Sequence, residues 1–180
     1  MRDAALEAGR ALLIAKGPDA VTLKAVGAAL GVTHANVLHH FGSAERFRAA
    51  LRNAMVLDLN ERMTAILARP GRTEADLARI VDETFAAYAE GGIGSLIAWL
   101  HLHGETAIDA QLEESIERLM AAVRRKFGDH PPAGMPVGLL TMLAFAASIL
   151  GGPLGRLVGV EPASFRALAL RLLVRLPTEP

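Results

Sequence analysis

Between Leu23 and Phe41 the chain reads Leu-Lys-Ala-Val-Gly-Ala-Ala-Leu-Gly-Val-Thr-His-Ala-Asn-Val-Leu-His-His-Phe, and the punctuation of that run leaves few backbone solutions. Val26 and Leu30 share one face of a two-turn helix, and Gly27 between them leaves room for a second helix to cross closely. Gly31 supplies the left-handed residue that ends the first helix. Val32 anchors the turn, and the Thr33 oxygen can cap the free N–H groups of the next helix. That helix, His34 to His40, is too short to persist alone, so Val37 and Phe41 must hold it by docking on its neighbours. Its other face, His34, Ala35, Asn36 and His39, is small or polar. A helix presented in that way can enter a major groove about 12 Å wide. An ordinary helical hairpin can carry the same short pattern, so the flanks decide between the two.

Upstream, Ala5, Leu6, Gly9, Leu12 and Leu13 form a helical stripe ending in Lys16-Gly17-Pro18, a base, a terminating glycine and a proline stop in that order. Thr22 then caps the helix that opens at Leu23. Downstream, Gly42 makes a turn, Ser43 caps a long helix, and Glu45 lies in its first turn, where the helix dipole favours an acid. This succession of helix, Lys-Gly stop, Thr cap, Gly-Val-Thr turn, short helix ending His-His-Phe and Ser-x-Glu resembles the DNA-binding domain of the tetracycline-repressor-like (TetR) family of transcriptional regulators, over residues 2 to about 52. Two positions depart from the family pattern. Leu38 stands where a tyrosine is usual and Ala44 where a lysine is usual, and both of those side chains typically touch DNA phosphates. Two fewer backbone contacts imply weaker and less salt-dependent DNA binding.

Beyond residue 52 the apolar spacing stays helical throughout. Ser43 to about Ala68 carries Leu51, Met55, Leu59, Met63 and Ile66 on one stripe, before Pro70-Gly71. Thr73-x-x-Asp76 is a capping box for a helix carrying Leu77, Ile80, Val81, Thr84, Phe85 and Tyr88, closed by Gly91-Gly92. A shorter apolar helix is predicted over Ser95 to His103. Ile108 to Phe127 follows, with Leu112, Ile116, Leu119, Val123 and Phe127 inward and its end marked by Gly128-Asp-His-Pro-Pro132. The stretch from Pro131 to Gly155 holds no charge. Its apolar core, Val137 to Leu150, is about 14 residues against the roughly 20 that a bilayer asks for, so the expectation is a helix buried against its own subunit and a second one. The last helix, Pro162 to Leu176, repeats the pattern with Phe165, Leu168, Leu172, Leu173 and Leu176. With no strand-like alternation anywhere, the expected fold is all-α; the resemblance implies its division into a three-helix helix-turn-helix domain over residues 1–50 and a helical effector-binding and dimerisation domain over 51–180.

Charge and cysteine content narrow the function. The chain has no cysteine and no net charge, which excludes disulfide and thiol chemistry and argues against general coating of DNA. Residues 1–50 nevertheless hold six Lys/Arg (Arg2, Arg10, Lys16, Lys24, Arg46, Arg48) against four acids (Asp3, Glu7, Asp19, Glu45), with His34, His39 and His40 beside them. Arg2, Asp3, Glu7 and Arg10 interrupt the opening turns, so no signal peptide is expected and a cytoplasmic location is. Candidate DNA-contacting residues are Thr22, Lys24, Thr33, His34, Ala35, Asn36, His39 and Ser43. Asn36 is the one amide on the exposed face, able to pair bidentately with adenine, whereas His40 is as readily packed as exposed. Charged histidines would strengthen binding as pH falls toward the unperturbed imidazole pKa near 6.5.

The resemblance implies further features. The last two helices, residues 136–176, would form a four-helix interface in a homodimer that reads a near-palindromic operator. A pocket among the central helices would hold a small molecule whose binding moves the fourth helix and releases a repressor from DNA. Leu59, Met63, Phe85, Tyr88, Trp99, His103, Met120, Phe145 and Ser148 are candidate lining residues, although for each of them plain core packing is the stronger reading, since a Met or aromatic at helical spacing is usually core. Their apolar character favours a hydrophobic or aromatic effector. His101 and His103 with Glu105 do not converge as metal ligands, because residues two apart on a helix face different ways. No phosphate loop, metalloprotease motif or nucleophile elbow suggests an enzyme, and no cofactor is expected. The alternative is a ligand-binding or interaction protein of the same fold with a weakened DNA-reading head, for which Leu38 and Ala44 are the evidence.

Overall fold

The computed structural model describes residues 1–71, 73–128 and 134–175. Among these residues the fold is all-α, with nine helices, one short 3-10 turn and no strand. Helix α1 (Arg2–Lys16) buries Ala5, Gly9 and Leu13 and stops at Gly17, whose φ of 80° only glycine adopts freely. The Pro18–Ala20 segment coils into the 3-10 turn before α2 (Leu23–Leu30) and α3 (His34–Phe41). Three side-chain caps occur where the sequence places them: Thr22 Oγ1 accepts from the Ala25 N–H at 3.1 Å, Thr33 Oγ1 from Asn36 at 3.3 Å, and Ser43 Oγ from Arg46 at 3.1 Å. A Cβ on Gly27 would lie 2.9 Å from the Val32 carbonyl oxygen and 3.2 Å from the His34 nitrogen, so α2 meets the start of α3 backbone to backbone. Phe41 then locks α3 to the next helix by an edge-on contact with Phe47, with ring centroids 4.9 Å apart.

Helix α4 (Ala44–Leu67) runs without a break from this head into the rest of the chain. It packs there against α5 (Glu74–Ala89), α6 (Ile93–Leu102) and α7 (Ala110–Phe127). Its stripe of Leu51, Met55, Leu59, Met63 and Ile66 is buried as predicted. Three details of the central helices differ from the sequence expectation. Helix α6 begins at Ile93 rather than Ser95, because Gly92 (φ 80°) turns the chain directly into it. Helix α7 begins at Ala110 rather than Ile108, because Asp109 caps it through Oδ1 on the Leu112 N–H at 2.9 Å, which leaves Ile108 exposed. The face of α7 turned to α4 carries Leu112, Ser115, Leu119, Ala122 and Val123, and Ile116, expected inward, falls off its edge at 40 % exposure.

Helix α8 (Gly134–Val158) requires a correction. It continues through Gly151-Gly152, where the expected apolar core stops, and carries Pro153 inside it for 25 residues in all. A proline forfeits only its own N–H bond when neighbours hold the rest of the helix. At this length, with its most apolar 18 residues at a mean hydropathy of 1.9, the helix is long and apolar enough to cross a membrane, which corrects the expectation that its apolar core was too short to span one. Helix α9 (Pro162–Arg175) packs on α8 and α5. The expected end of α9 at Leu176, the Asp129–Pro132 break and the first residues of the charge-free stretch lie outside the described residues. Helices α8 and α9 leave a broad apolar surface exposed, including Leu139, Met142, Ile149, Leu150, Leu154, Leu168 and Leu172.

Candidate functional site

The head presents one face of α3. Val37 and Phe41 are buried, while His34, Ala35, Asn36, His39 and also His40 are exposed. The alternation follows from the helix period: positions 37 and 41 are one turn apart and dock together, which turns the intervening residues outward. Lys24, Thr22 and Thr33 are exposed near the N-termini of α2 and α3, and Ser43 is half-buried at the start of α4. The cap threonines and Ser43 accept from backbone N–H groups, which leaves the threonine hydroxyl hydrogens available to a phosphate, whereas the Ser43 hydroxyl also serves Glu45. Leu38 and Ala44 instead pack partly against the core. Two cations not among the predicted contacts flank the end of α3. The Arg2 guanidinium lies 5.1 Å from the Phe41 ring centroid, and the Arg46 side chain lies alongside Gly42. The signal available in the sequence was the ring of Phe41, an attractive platform for a cation from α1. At the same corner the Ser43 hydroxyl, with a smaller contribution from Arg48, holds the Glu45 carboxyl below its ordinary range.

The second feature is a partly open cavity of about 290 Å³ between α4, α5, α7 and α8, reached by Leu173 of α9. Of the residues proposed from sequence, Leu59, Met63, Tyr88 and Met120 line it. The structure does not bring the others there. Phe85 is buried beneath the Arg166 guanidinium, 5.9 Å from its centroid. Ser148 donates to the Phe145 carbonyl at 2.7 Å and lies against Gly94, where α6 and α8 touch. Trp99 and His103 belong to a different cluster. Polar lining residues absent from the sequence-derived set are Asn60, Thr84 and Thr141. Asn60 and Thr84 sit one residue beyond Leu59 and one before Phe85, so the helix period could have marked both. Burial pushes the Tyr88 phenol above its ordinary pKa.

Trp99 and His103 join the head to the core. The indole N–H donates to Asp19 Oδ1 in the 3-10 turn at 2.7 Å, and the His103 ring stacks on the indole with centroids 3.7 Å apart. The Arg48 guanidinium of α4 lies 4.8 Å from the indole centroid and pairs with Glu105, its Nε donating at 3.2 Å. One turn along α4, Arg52 donates to Asn53 Oδ1 at 2.8 and 3.0 Å and to the Ala107 carbonyl, and Asn53 donates to Asp109. Desolvation lowers the Arg52 pKa, partly offset by Asp109. These contacts clamp α4 to the segment between α6 and α7 at the level where α4 leaves the head.

Residues 5–51 match the profile of the bacterial regulatory proteins of the tetR family. Among solved structures, a protein from Saccharomonospora viridis designated a transcriptional regulator, in complex with choline, is 17 % identical with a TM-score of 0.70, over 99 % of this chain and 98 % of that one. The fatty acid degradation regulator FadR from Bacillus halodurans is 12 % identical with a TM-score of 0.63, over 96 % and 93 %. A transcriptional regulator of the TetR/AcrR family from Thermobifida fusca is 19 % identical with a TM-score of 0.61, over 97 % and 96 %. No curated protein matches the chain by sequence. Residues 5–51 are thus a helix-turn-helix domain of the tetR family of bacterial regulatory proteins, carried on a chain whose fold is that of TetR-family transcriptional regulators.

Proposed function

We propose that this protein is a cytoplasmic transcriptional repressor that binds a near-palindromic DNA operator as a homodimer and is released when a small hydrophobic or aromatic effector occupies the cavity between α4, α5, α7 and α8. Residues 1–50 are the reading head, and residues 51–180 bind effector and dimerise through 136–176. The observation that carries the reading is the outward face of α3, with His34, Ala35, Asn36 and His39 exposed over a buried Val37 and Phe41. Asn36 reads a base, His34 and His39 donate to bases or phosphates, and Thr22, Lys24, Thr33 and Ser43 hold the backbone. The exposed apolar surface of α8 and α9 supports the dimer, because a surface of that kind on a helix pair is covered when two copies pack as a four-helix bundle. The effector acts through α4, which lines the cavity at Leu59 and Met63 and is clamped near the head by Arg48 and Arg52.

A gel shift against DNA upstream of the protein's own and adjacent genes, at low and moderate salt, tests the reading. A retarded band that weakens with salt is expected. The second reading, a ligand-binding protein with a weakened head, draws on the inward packing of Leu38 and Ala44 and on the lack of any Lys or Arg from His34 to Ala44. No shift at any salt would favour it.

A further inference from the structure

We propose that the cavity accepts an uncharged, mainly apolar molecule of about two fused rings that carries a hydroxyl group, an inference that rests on reading this cavity as the effector site. Its size follows from the volume. A cavity of roughly 150 Å³ lined by apolar side chains binds benzene, and this one is about 290 Å³. Its charge follows from the wall, which contains no Asp, Glu, Lys, Arg or His among the described residues. A carboxylate or an ammonium group held there would be buried without a counter-charge, which is heavily penalised.

The hydroxyl follows from two polar side chains. Asn60 is 7 % exposed, and its Nδ2 donates to Ser115 Oγ at 3.1 Å. Among the described residues its Oδ1 has no protein partner, yet no enclosed side-chain N or O there lacks one. The atom therefore faces open space, and the space that Asn60 lines is the cavity. Exchanging the amide oxygen and nitrogen would present an N–H group there instead. A hydroxyl, both donor and acceptor, satisfies either orientation. Tyr88 repeats the situation from α5: it is 7 % exposed, lines the cavity, and its Oη bonds to no protein group among the described residues. The Thr84 hydroxyl is already engaged, donating to the Ile80 carbonyl at 2.7 Å. A ligand without a hydrogen-bonding group would strip water from Asn60 and Tyr88 and return nothing, whereas a hydroxyl replaces that water.

The test is calorimetric titration of the full chain at neutral pH with naphthalene, naphthol, naphthoate and choline. Naphthol is expected to bind about tenfold more tightly than naphthalene, because a buried polar group left unmatched carries a penalty of that order. Naphthoate and choline are expected to bind more weakly still. Asn60→Leu should narrow the gap between naphthol and naphthalene, with the Tyr88 hydroxyl left to hold the remainder, a change in ratio that a merely looser fold would not produce. Naphthoate, choline or naphthalene binding as tightly as naphthol, or a ratio unchanged in Asn60→Leu, would overturn the ligand class while leaving the cavity as a binding site. Met63→Trp, which fills the cavity, should abolish binding of every probe, and Met120→Trp serves the same purpose if the first variant does not fold. Binding that survives the filled cavity, or no binding by any probe to the unaltered chain, would overturn the cavity as the effector site.

Discussion

Asn36 and Tyr88 are the two residues whose individual chemistry is most exposed to test. Asn36 is the amide on the outward face of α3. Asn36→Ala is expected to cost about 1–3 kcal/mol in operator binding and to relax specificity at one base pair. Fluorescence anisotropy with operators altered one base at a time reads both effects, and a uniform loss across all bases would assign Asn36 to the backbone. Tyr88 is the only tyrosine of the chain, so the ultraviolet absorbance of its phenolate reports on it alone. Burial raises its pKa in the folded state. Above the ordinary tyrosine pKa near 10 the unfolded chain loses this proton while the folded chain keeps it, so stability should fall as pH rises through that range. Tyr88→Phe should flatten the decline in denaturant melts, and an equal decline in the variant would deny Tyr88 the role. The caps were the most legible residues, since Thr22, Thr33, Ser43 and Thr73 act over three residues of sequence. The cavity was legible only in part. An inward face says that Phe85 and Tyr88 are both buried, but which of two buried neighbours borders a void depends on helices distant in the chain.

Among the elements, the crossing of α2 and α3 is set by a glycine. The Gly27→Ala methyl would press on the Val32 carbonyl and the His34 nitrogen, neither of which can rotate away. A stability loss of about 1–3 kcal/mol is expected, with loss of DNA binding as α3 tilts. Thermal melts and gel shifts read the two, and wild-type DNA affinity in a variant of lowered melting temperature would separate α3 tilt from stability. Helix α4 carries the other testable junction. Arg48→Met removes the ion pair with Glu105 and the cation beside Trp99, at a cost of about 1–3 kcal/mol because the pair is largely buried. Trp99 is the only tryptophan, so its emission should shift in the variant, and unchanged emission would show that the indole environment does not depend on Arg48. None of this junction was visible as a motif. Asp19 and Trp99 are 80 residues apart, and their pairing arises because α6 is laid across the 3-10 turn. The helix starts at Ile93 and Ala110 were missed by two residues each, because a capping aspartate and a left-handed glycine outrank apolar spacing at helix ends.

The apolar surface of α8 and α9 is the feature of the whole molecule on which the proposed dimer rests. Met142 is 71 % exposed at the middle of α8, where a second copy would cover it. Equilibrium sedimentation at micromolar concentration is expected to give a dimer for the unaltered chain and a monomer for Met142→Glu, because a buried unpaired carboxylate opposes association. A monomeric unaltered chain would overturn the dimer. The all-α architecture, the caps and the helix-turn-helix were written locally, in the 3.6-residue spacing of apolar side chains and in residues that act within one turn of themselves. The length of α8 was not, because Gly151-Gly152-Pro153 reads as a stop and becomes a passage only where neighbouring helices hold the backbone in place. The cavity, the Trp99 clamp and the choice of which apolar faces stay open were likewise decided by tertiary packing. Each depends on several helices meeting at once, and no local spacing encodes where side chains from distant turns leave a gap or close one.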